Sequence, residues 1–530
     1  MKLKIFLFFA LASIAAIAVA RDANVFASGL KVIKTTGSKY NFSYTLNAPA
    51  LGVYINIYKD NDLVKSVESR GRAKGENTMS VDLSGFNGEY TWSVKAVGQA
   101  WANGESATRV IDKATHPQLN FMRPRGIAID LDTESEFYGR IYVTETQAAN
   151  FDGRETNVGI YVFDPTFSDI TNQGNTAYGG NVEWGPTSGC TRIFLNKDGK
   201  IYLSDWSDGH PGVWRADAKD LNADFLPIFG GTPYATGLRF NDDGVEIAGS
   251  IPSCWIEGEG ENTVLYTFDE DYVNNNANTQ GIYKYNIGNI EQPWTDGPSE
   301  VIYDNSNSLH RNGNSVIIPQ NGGWWISQTR WQDSEEVPSL VYVKNNLVLF
   351  NSGAIDPEMI KRSYSSAICL FDEGTKLAVS CYNNIKIFNV TFNDTGVPSL
   401  SEIYNIEPAF GEFCYSIAVD AAHNMYCAVD HSSNDSRGNV GVIALPIEQN
   451  VCETPAPSAQ IINVEGGTSI PGDVDGNGVV TAADITALYD ALLNNDYSNA
   501  INWDQNGDGN ITAADITAVY GILLNSKDVH

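Results

Sequence analysis

A unit of two short apolar strands, joined by a turn of Asp, Asn or Gly, recurs along the middle of the chain. Its first copy runs from Arg125-Gly-Ile-Ala-Ile-Asp130 to Arg140-Ile-Tyr-Val-Thr-Glu145, and five more copies follow before residue 447. One unit is too small to bury both faces of its sheet, but units repeated around an axis cover one another. The repeat therefore predicts a six-bladed β-propeller over residues 115–447. A count of seven blades stays open, because a long insertion follows the third unit, at residues 237–248.

The composition agrees with a mostly β chain and excludes some partners. Of the 530 residues, 48 are Gly and 25 are Tyr, and only 18% are charged, which is typical of turn-rich β structure. The net charge is −30. So acidic a chain repels nucleic acid and anionic lipid, and neither is an expected partner.

The first twenty residues have the three-part layout of a secretory signal peptide. Lys2 and Lys4 precede an apolar run over residues 5–17, and Ala18-Val19-Ala20 is a small-residue cleavage pattern. The run is too short to span a bilayer. The sequence therefore predicts a signal peptide over residues 1–20, cleavage after Ala20, a secreted protein and no membrane span.

Alternating residues follow the signal peptide. Period-two runs at 39–46, 53–58 and 90–96 are separated by turns, which predicts a small Ig-like β-sandwich over residues 22–112. The order of these strands resembles the Ig-like domain of flagellar hook-capping proteins. The resemblance implies a spacer domain and carries no chemistry.

Residues 448–471 are predicted to form a linker. Glu453-Thr-Pro-Ala-Pro-Ser-Ala459 has few large apolar residues, and Gly466 to Gly472 is rich in glycine. Pro and Gly at this density disfavour a helix. We expect this stretch to tether the last module without packing on the rest of the chain.

Two twelve-residue segments near the end place oxygen-bearing residues at matching positions, with Gly478 and Gly509 where a calcium-binding loop turns sharply. A cation of calcium's size takes six to eight oxygen ligands, and a loop of this length can supply them. The sequence predicts two calcium ions, with Val479 and Asn510 contributing backbone carbonyls. The predicted ligands are Asp473, Asp475, Asn477, Val479, Thr481 and Asp484 in the first loop, and Asp504, Asn506, Asp508, Asn510, Thr512 and Asp515 in the second.

Each loop leads into an amphipathic helix, and Pro471-Gly472 leaves no helix before the first loop. Two calcium loops with exit helices only, each closed by Asp, resemble a type I dockerin over residues 471–526. The resemblance implies a domain at 472–526 that folds with calcium and docks onto a cohesin-like protein. Such modules often carry Ser-Thr where this chain has Ala, which leaves the class of cohesin open. The predicted partner surface consists of Ala482, Ala483, Tyr489, Ala513, Ala514 and Tyr520.

The propeller unit resembles an NHL-type repeat, and some related propellers are metal-dependent lactonases with acidic ligands before the innermost strands. Arginine is frequent near those strand starts in this chain, and no acidic trio converges there. Arg forks match carboxylates, so an acidic sugar is one candidate ligand, and structural pairing with nearby Asp or Glu is the alternative. The candidate ligand-binding residues are Arg123, Arg125, Arg192, Arg311 and Arg362.

These features predict a secreted modular protein that binds calcium, docks on a cohesin-like partner and recognises a carbohydrate ligand in extracellular polysaccharide handling. The alternative is a propeller-type glycoside hydrolase or polysaccharide lyase that carries a dockerin. A pair of catalytic carboxylates in the propeller channel would favour the enzyme. The sequence assigns no catalytic residue.

Overall fold

The computed structural model describes most of the chain and is mostly β. The described residues are 21–112, 114–151, 154–172, 176–185, 189–207, 212–229, 250–274, 277–304, 315–329, 333–360, 367–381, 384–406, 413–430, 438–464, 471–475, 479–494, 503–508 and 510–525. The predicted signal peptide, residues 1–20, lies outside them. In the described part of the chain, no helix is long and apolar enough to cross a membrane.

Two antiparallel sheets form an N-terminal β-sandwich. One contains β1 (Ala27–Lys34), β2 (Lys39–Leu46) and β5 (Gly75–Asp82), and the other contains β3 (Gly52–Lys59), β4 (Asp62–Glu68) and β6 (Gly88–Val97). Alternate residues of β2 are buried, as the period-two pattern predicts. The Phe42 and Trp92 rings meet edge to face, 4.8 Å apart, in the shared core. The structure shows a sandwich, and its Ig-like class stays a prediction.

The linker prediction for residues 448–471 is wrong over much of its length. Strand β32 (Val451–Pro455) pairs antiparallel with β6, and β33 (Ile462–Val464) pairs with the start of β6. Cys452 and Thr454 alternate as buried residues, which is a strand pattern. Pro455 is the last residue of an edge strand, where a missing N–H is tolerated. The chain after the propeller therefore completes the sandwich.

Two hydrogen-bond groups hold this returning segment on the sandwich. The Glu453 carboxylate accepts hydrogen bonds from the side chains of Asn56, Tyr58 and Ser93. The Trp92 indole N–H donates to the Gln460 carbonyl oxygen at 2.8 Å. The propeller is thus an insertion between two strands of the sandwich, β6 and β32.

Six antiparallel sheets follow one another in the described residues, which confirms the six-bladed prediction. Blade 1 has three strands, because its outer edge is formed only by isolated bridges. The strands are, in blade 1, β8 (Pro124–Ile129), β9 (Ile141–Glu145) and β12 (Gly159–Phe163); in blade 2, β13 (Arg192–Leu195), β14 (Lys200–Asp205), β15 (Gly212–Asp217) and β16 (Leu226–Pro227); in blade 3, β17 (Ser253–Glu257), β18 (Val264–Asn274), β19 (Ala277–Tyr285) and β20 (Glu300–Tyr303); in blade 4, β21 (Val316–Gln320), β22 (Gly323–Ser327), β23 (Leu340–Lys344) and β24 (Leu347–Asn351); in blade 5, β25 (Ile368–Phe371), β26 (Lys376–Ser380), β27 (Ile385–Phe392) and β28 (Pro398–Ile406); and in blade 6, β29 (Phe413–Val419), β30 (Asn424–Asp430), β31 (Asn439–Ala444) and β7 (Thr108–Ile111).

Ring closure uses a strand from before the first blade. Strand β7 pairs with β31 at the outer edge of blade 6, so both ends of the propeller sequence lie in one sheet. The predicted sandwich range 22–112 therefore includes a propeller strand, and the propeller begins before residue 115. The third predicted unit, residues 237–248, lies outside the described residues. Blade 3 is built from the next segment, whose long β18–β19 hairpin accounts for the insertion.

The short elements complete the description. Within the described residues, a hairpin of β10 (Ala149–Phe151) and β11 (Arg154–Thr156) extends from blade 1, and helix α1 (Ser352–Ile355) follows blade 4. The same described residues contain three 3₁₀ turns, at Pro117–Leu119, Gly260–Asn262 and Ser458–Gln460.

The sandwich and the propeller contact each other through the first residues of the described chain. The Asn24 backbone N–H donates to Asn424 Oδ1 at 2.7 Å, and its side-chain amide donates to the Leu445 carbonyl at 2.9 Å. Phe26 packs edge to face on Tyr138. These buried contacts join the two domains into one body.

The last module is helical, as predicted. Helices α2 (Ala482–Asn494) and α3 (Ala513–Asn525) pack around a core of Val474, Leu488 and Val519. The two exit helices therefore bury the apolar stripe that their sequences share.

Candidate calcium and ligand sites

The first loop gathers carboxylates that are distant in sequence. One oxygen from each of Asp473, Asp475 and Asp484 lies within 4.8 Å of the others. Asp473 and Asp484 are buried, while Asp475, Val479 and Thr481 are exposed. Asn477 and Gly478 lie outside the described residues. Carboxylates this close repel one another unless a cation lies between them, and oxygen is the donor that Ca²⁺ prefers. The residues present therefore fit calcium.

The carboxylate at the last loop position also starts the helix. Asp484 Oδ2 accepts the Thr481 backbone N–H at 2.7 Å, and Thr481 Oγ1 accepts the Ala483 N–H at 3.1 Å. This pattern resembles a capping box with Asp in the usual Glu or Gln position, except that the Thr481 hydroxyl accepts the N–H of the second helical residue and not of the third. Asp484 Oδ1 accepts the N–H groups of Val474 and Asp475 at 2.8 and 3.1 Å. Burial acts to raise the pKa of Asp484, but these hydrogen bonds outweigh it and lower the pKa, so the group stays ionised.

The second loop repeats this hydrogen-bond pattern. Asp515 accepts the N–H groups of Gln505, Asn506 and Thr512 at 2.8, 3.1 and 2.8 Å. Asp504 Oδ1 accepts the N–H groups of Gly507 and Asp508, and Asp508 Oδ1 accepts that of Asn510. Gly509 lies outside the described residues. Asp484 and Asp515 thus accept hydrogen bonds from the same three backbone positions of their loops.

One contact links the two loops. The Gly472 N–H, just before the first loop, donates to Gln505 Oε1 in the second at 2.7 Å. The residue at the Gln505 position in the first loop is Val474, which is fully buried between the helices. This hydrogen bond joins the entry to the first loop to the second loop.

The predicted partner surface is exposed. Ala482, Ala483, Ala513 and Ala514 are exposed at the starts of the two helices. Tyr489 and Tyr520 are 54% and 53% exposed.

The sequence analysis missed one residue in each copy of this surface. Leu493 and Leu524 are 67% and 55% exposed, four residues after each tyrosine and on the same helix face. The matched Tyr-x-x-x-Leu spacing in the two helices was the signal that could have found them.

The structure brings three of the five predicted arginines together at one end of the propeller. Arg125 forms a buried ion pair with Asp430 at 3.1 Å, and Arg123 Nε lies 3.9 Å from the same carboxylate. Arg192 donates to the Arg125 carbonyl oxygen at 2.8 Å. Burial, with the repulsion of Arg125, lowers the pKa of Arg192 to about 10. Arg311 and Arg362 lie outside the described residues. Arg123 and Arg125 therefore show the pairing with a nearby acidic residue that the sequence analysis gave as the alternative to ligand binding.

Aromatic rings flank this arginine cluster of Arg123, Arg125 and Arg192. The Arg125 guanidinium lies 4.8 Å from the Tyr415 ring centre and 6.0 Å from that of Trp206. Such contacts favour the charged guanidinium. The arrangement holds cations and aromatic faces at one mouth of the propeller.

Buried carboxylates end the second strand of three blades, a feature the sequence analysis did not identify. They are Glu145, Asp205 and Asp430, and Ser327 and Ser380 take the equivalent place in blades 4 and 5. In blade 3 the buried Asp269 pairs with Gly281 inside the longer strand β18. Glu145 accepts the N–H groups of Met122 and Arg123 at 2.6 and 2.7 Å, and Asp205 accepts that of Gly185 at 2.8 Å. The hydrogen bonds of Glu145 and Asp205 hold loops. An alignment of the ends of β9, β14 and β30, which read Thr-Glu, Ser-Asp and Val-Asp, could have identified these carboxylates from the sequence.

Glu145 is expected to make the stability of the propeller depend on pH. Burial raises its pKa to about 7 from an ordinary 4.5, with Asp430 adding to the rise. A raised carboxyl pKa stabilises the fold below about pH 4.5, and that contribution is lost as the pH rises to about 7. We expect Glu145→Gln to reduce the slope of the free energy of unfolding against pH, between about pH 4.5 and 7, by up to about 1.4 kcal/mol per pH unit. Calorimetry detects this as a weaker dependence of Tm on pH.

Glu155→Gln is the matched control for this substitution, because Glu155 is exposed on the neighbouring hairpin. It should keep the wild-type slope. Equal slopes for wild type and both variants would show that Glu145 does not titrate in this window.

Comparison with known proteins identifies the last module. Residues 471–524 match the family model of the dockerin type I domain. No curated protein sequence matches the chain.

Solved structures with low similarity cover the larger part of the chain. A glucose dehydrogenase is 13% identical, with a TM-score of 0.38, over 64% of this chain and 99% of its own. An auxiliary nutrient binding protein from Bacteroides thetaiotaomicron is 9% identical, with a TM-score of 0.33, over 79% and 98%. A luciferin-regenerating enzyme is 12% identical, with a TM-score of 0.30, over 62% and 93%. None of these likenesses bears on what this chain binds.

Proposed function

We propose that this protein is secreted, binds two calcium ions in its last module and docks through that module on a cohesin-like partner. The main support for this proposal is the pair of loops with matching hydrogen bonds, in a segment that matches the dockerin type I family. The sandwich and propeller would be the cargo. Cleavage after Ala20 is part of this proposal, and N-terminal sequencing of the secreted protein tests it.

Calcium would be held by the predicted ligands of each loop. In the first loop these include Asp473, Asp475 and Asp484, whose oxygens already converge. The ion supplies positive charge that offsets the repulsion between carboxylates. Asp484 and Asp515 meanwhile fix the helix starts through their capping hydrogen bonds. Ion binding and the position of the partner surface would therefore be coupled.

The partner would contact the exposed helix starts and the Tyr-x-x-x-Leu faces. Alanine allows close approach of a partner backbone, and tyrosine combines apolar area with a hydroxyl group. The equivalent exposure of Tyr489 and Tyr520 in the two helices supports two alternative docking orientations.

A double substitution tests this proposal. We expect Ala483→Arg alone to leave partner binding within about threefold of wild type, because the second copy substitutes for the first. Ala483→Arg with Ala514→Arg should weaken binding by roughly a hundredfold or more, since both surfaces then carry a bulky charge. Calorimetry against a cohesin, in calcium, measures both. Complete loss with the single substitution would contradict the two-orientation proposal.

The propeller cargo would recognise a carbohydrate in polysaccharide handling, with the arginine cluster of Arg123, Arg125 and Arg192 facing an acidic sugar. Arg and aromatic groups at one mouth support binding. The hydrogen bonds that commit Glu145 and Asp205 to loops favour binding over hydrolysis. A glycan array probed with the full chain tests this part, and acidic glycans should be enriched among the ligands.

A further inference from the structure

An apolar channel runs along the axis of the propeller. The first strands of all six blades line a cavity of about 260 Å³. Each blade contributes at least one large apolar side chain to its wall, namely Ile127, Ile193, Trp255, Ile317, Ile368 and Ile417. A wall of this kind cannot satisfy the hydroxyl groups of a sugar, but it suits a hydrocarbon chain.

One end of this channel is polar and cationic. Arg192, Ser253 and Tyr415, near the starts of β13, β17 and β29, line it there. Among the described residues that line the cavity, Arg192 is the one charged side chain, and it is buried. A buried cation in a wall without acidic side chains favours an anionic partner. Burial and the repulsion of Arg125 lower the pKa of Arg192 to about 10, so the guanidinium stays charged near neutral pH.

Two buried hydroxyl groups lie at the level of the same end. Ser253 is 3% exposed and Ser315, one residue before β21, is fully buried. In the described part of the chain, neither Oγ atom has a hydrogen-bond partner. Buried hydroxyl groups without partners are rare in native structures, and Ser253 lines the cavity itself. Its hydroxyl is a donor suited to an anionic head group.

The other end of the channel is apolar. Leu131, Leu195 and Val419 line it, and Leu131 is 51% exposed. The channel is thus amphipathic along its axis, cationic at the Arg192 end and mainly apolar from there to Leu131.

We propose that this channel binds an anionic amphiphile, a carboxylate with an unbranched aliphatic chain of medium length. The carboxylate lies at Arg192 and Ser253, and the chain extends along the six inner strands towards Leu131. The cavity is slightly smaller than typical ligand sites of about 300–1,000 Å³, which favours a medium chain over a long one. This site goes beyond docking and beyond sugar recognition at the mouth.

Calorimetry on the full chain in calcium, with decanoate as the probe, tests the proposal. We expect saturable binding, and binding of the uncharged decanol roughly tenfold or more weaker, because it lacks the charge-assisted contacts. Absence of saturable decanoate binding, or equal binding of decanol, would overturn the proposal.

Variants locate the ligand in the channel. Arg192→Met should weaken decanoate binding by roughly tenfold to a hundredfold. Arg140→Met should not change it, because Arg140 lies over the Phe137 ring just before β9 and does not line the cavity. Ala128 lines the channel, so Ala128→Leu should narrow it and weaken binding by about tenfold or more, with the exposed Ala354→Leu as its control. Ser253→Ala is a smaller change that serves as the second variant if Arg192→Met fails to fold. It should weaken decanoate binding several-fold. Unchanged affinity in Ala128→Leu and Ser253→Ala would overturn the channel as the site.

Discussion

Removal of calcium with EDTA is expected to unfold residues 471–525 in the intact protein while the sandwich and propeller stay folded. The core of the last module is small, and its loops concentrate carboxylates that repel one another without a cation. Hydrogen exchange followed by mass spectrometry should therefore show full loss of protection in α2 and α3. Peptides from the propeller strands should keep their protection.

Two substitutions distinguish the specific role of a loop carboxylate from the effect of removing one negative charge. Asp484→Ala removes a proposed calcium ligand and also the capping hydrogen bonds. Each of these bonds to a charged acceptor is worth about 1–3 kcal/mol, so the substitution should unfold the module even in calcium. Asp490→Ala removes the same charge from an exposed position on α2 and should have no such effect. Protection that survives both EDTA and Asp484→Ala would contradict the calcium-dependent fold.

Truncation after Pro446 is expected to unfold the sandwich, whereas truncation after Val464 should leave it folded. The segment between these points supplies β32, β33 and the buried Ile462 and Val464. Burial of each apolar side chain contributes about 1.5–3 kcal/mol. Together with the strand hydrogen bonds the loss is on the order of 5 kcal/mol, comparable to the whole stability of a small domain.

Differential scanning calorimetry of the two truncated chains measures this effect. Neither has the last module, so the comparison isolates residues 447–464. The shorter chain should lose the sandwich transition and keep that of the propeller, whose closing pair β7 and β31 is intact. Superimposable melting curves would show that the returning segment adds nothing to the sandwich.

The sequence predicted the propeller and the calcium loops because both are encoded locally. Each blade unit has its own strand pattern and turn, and each loop holds its oxygen residues within twelve positions. The capping role of Asp484 is also local, since Thr481 is only three residues away. Such features need no knowledge of distant partners.

The completion of the sandwich could not be predicted in the same way. Residues 451–455 pair with β6 across a separation of more than 350 residues, and their Pro-rich surroundings indicate a linker when considered alone. Edge-strand pairing depends on the register and exposed edge of the partner strand, which a local pattern does not contain. The channel was equally hidden, because its wall needs one strand from each of six blades.

Native mass spectrometry of the mature chain, alone and with a cohesin, tests calcium-dependent docking most directly. We predict two calcium ions in the wild-type chain, one in Asp475→Ala or Asp508→Ala, each of which removes a proposed ligand and keeps the capping carboxylates Asp484 and Asp515, and none in the double variant, with the complex lost in EDTA. The Asp490→Ala chain should retain both ions and the complex. A wild-type chain that binds no calcium, or a complex that persists in EDTA, would contradict the account.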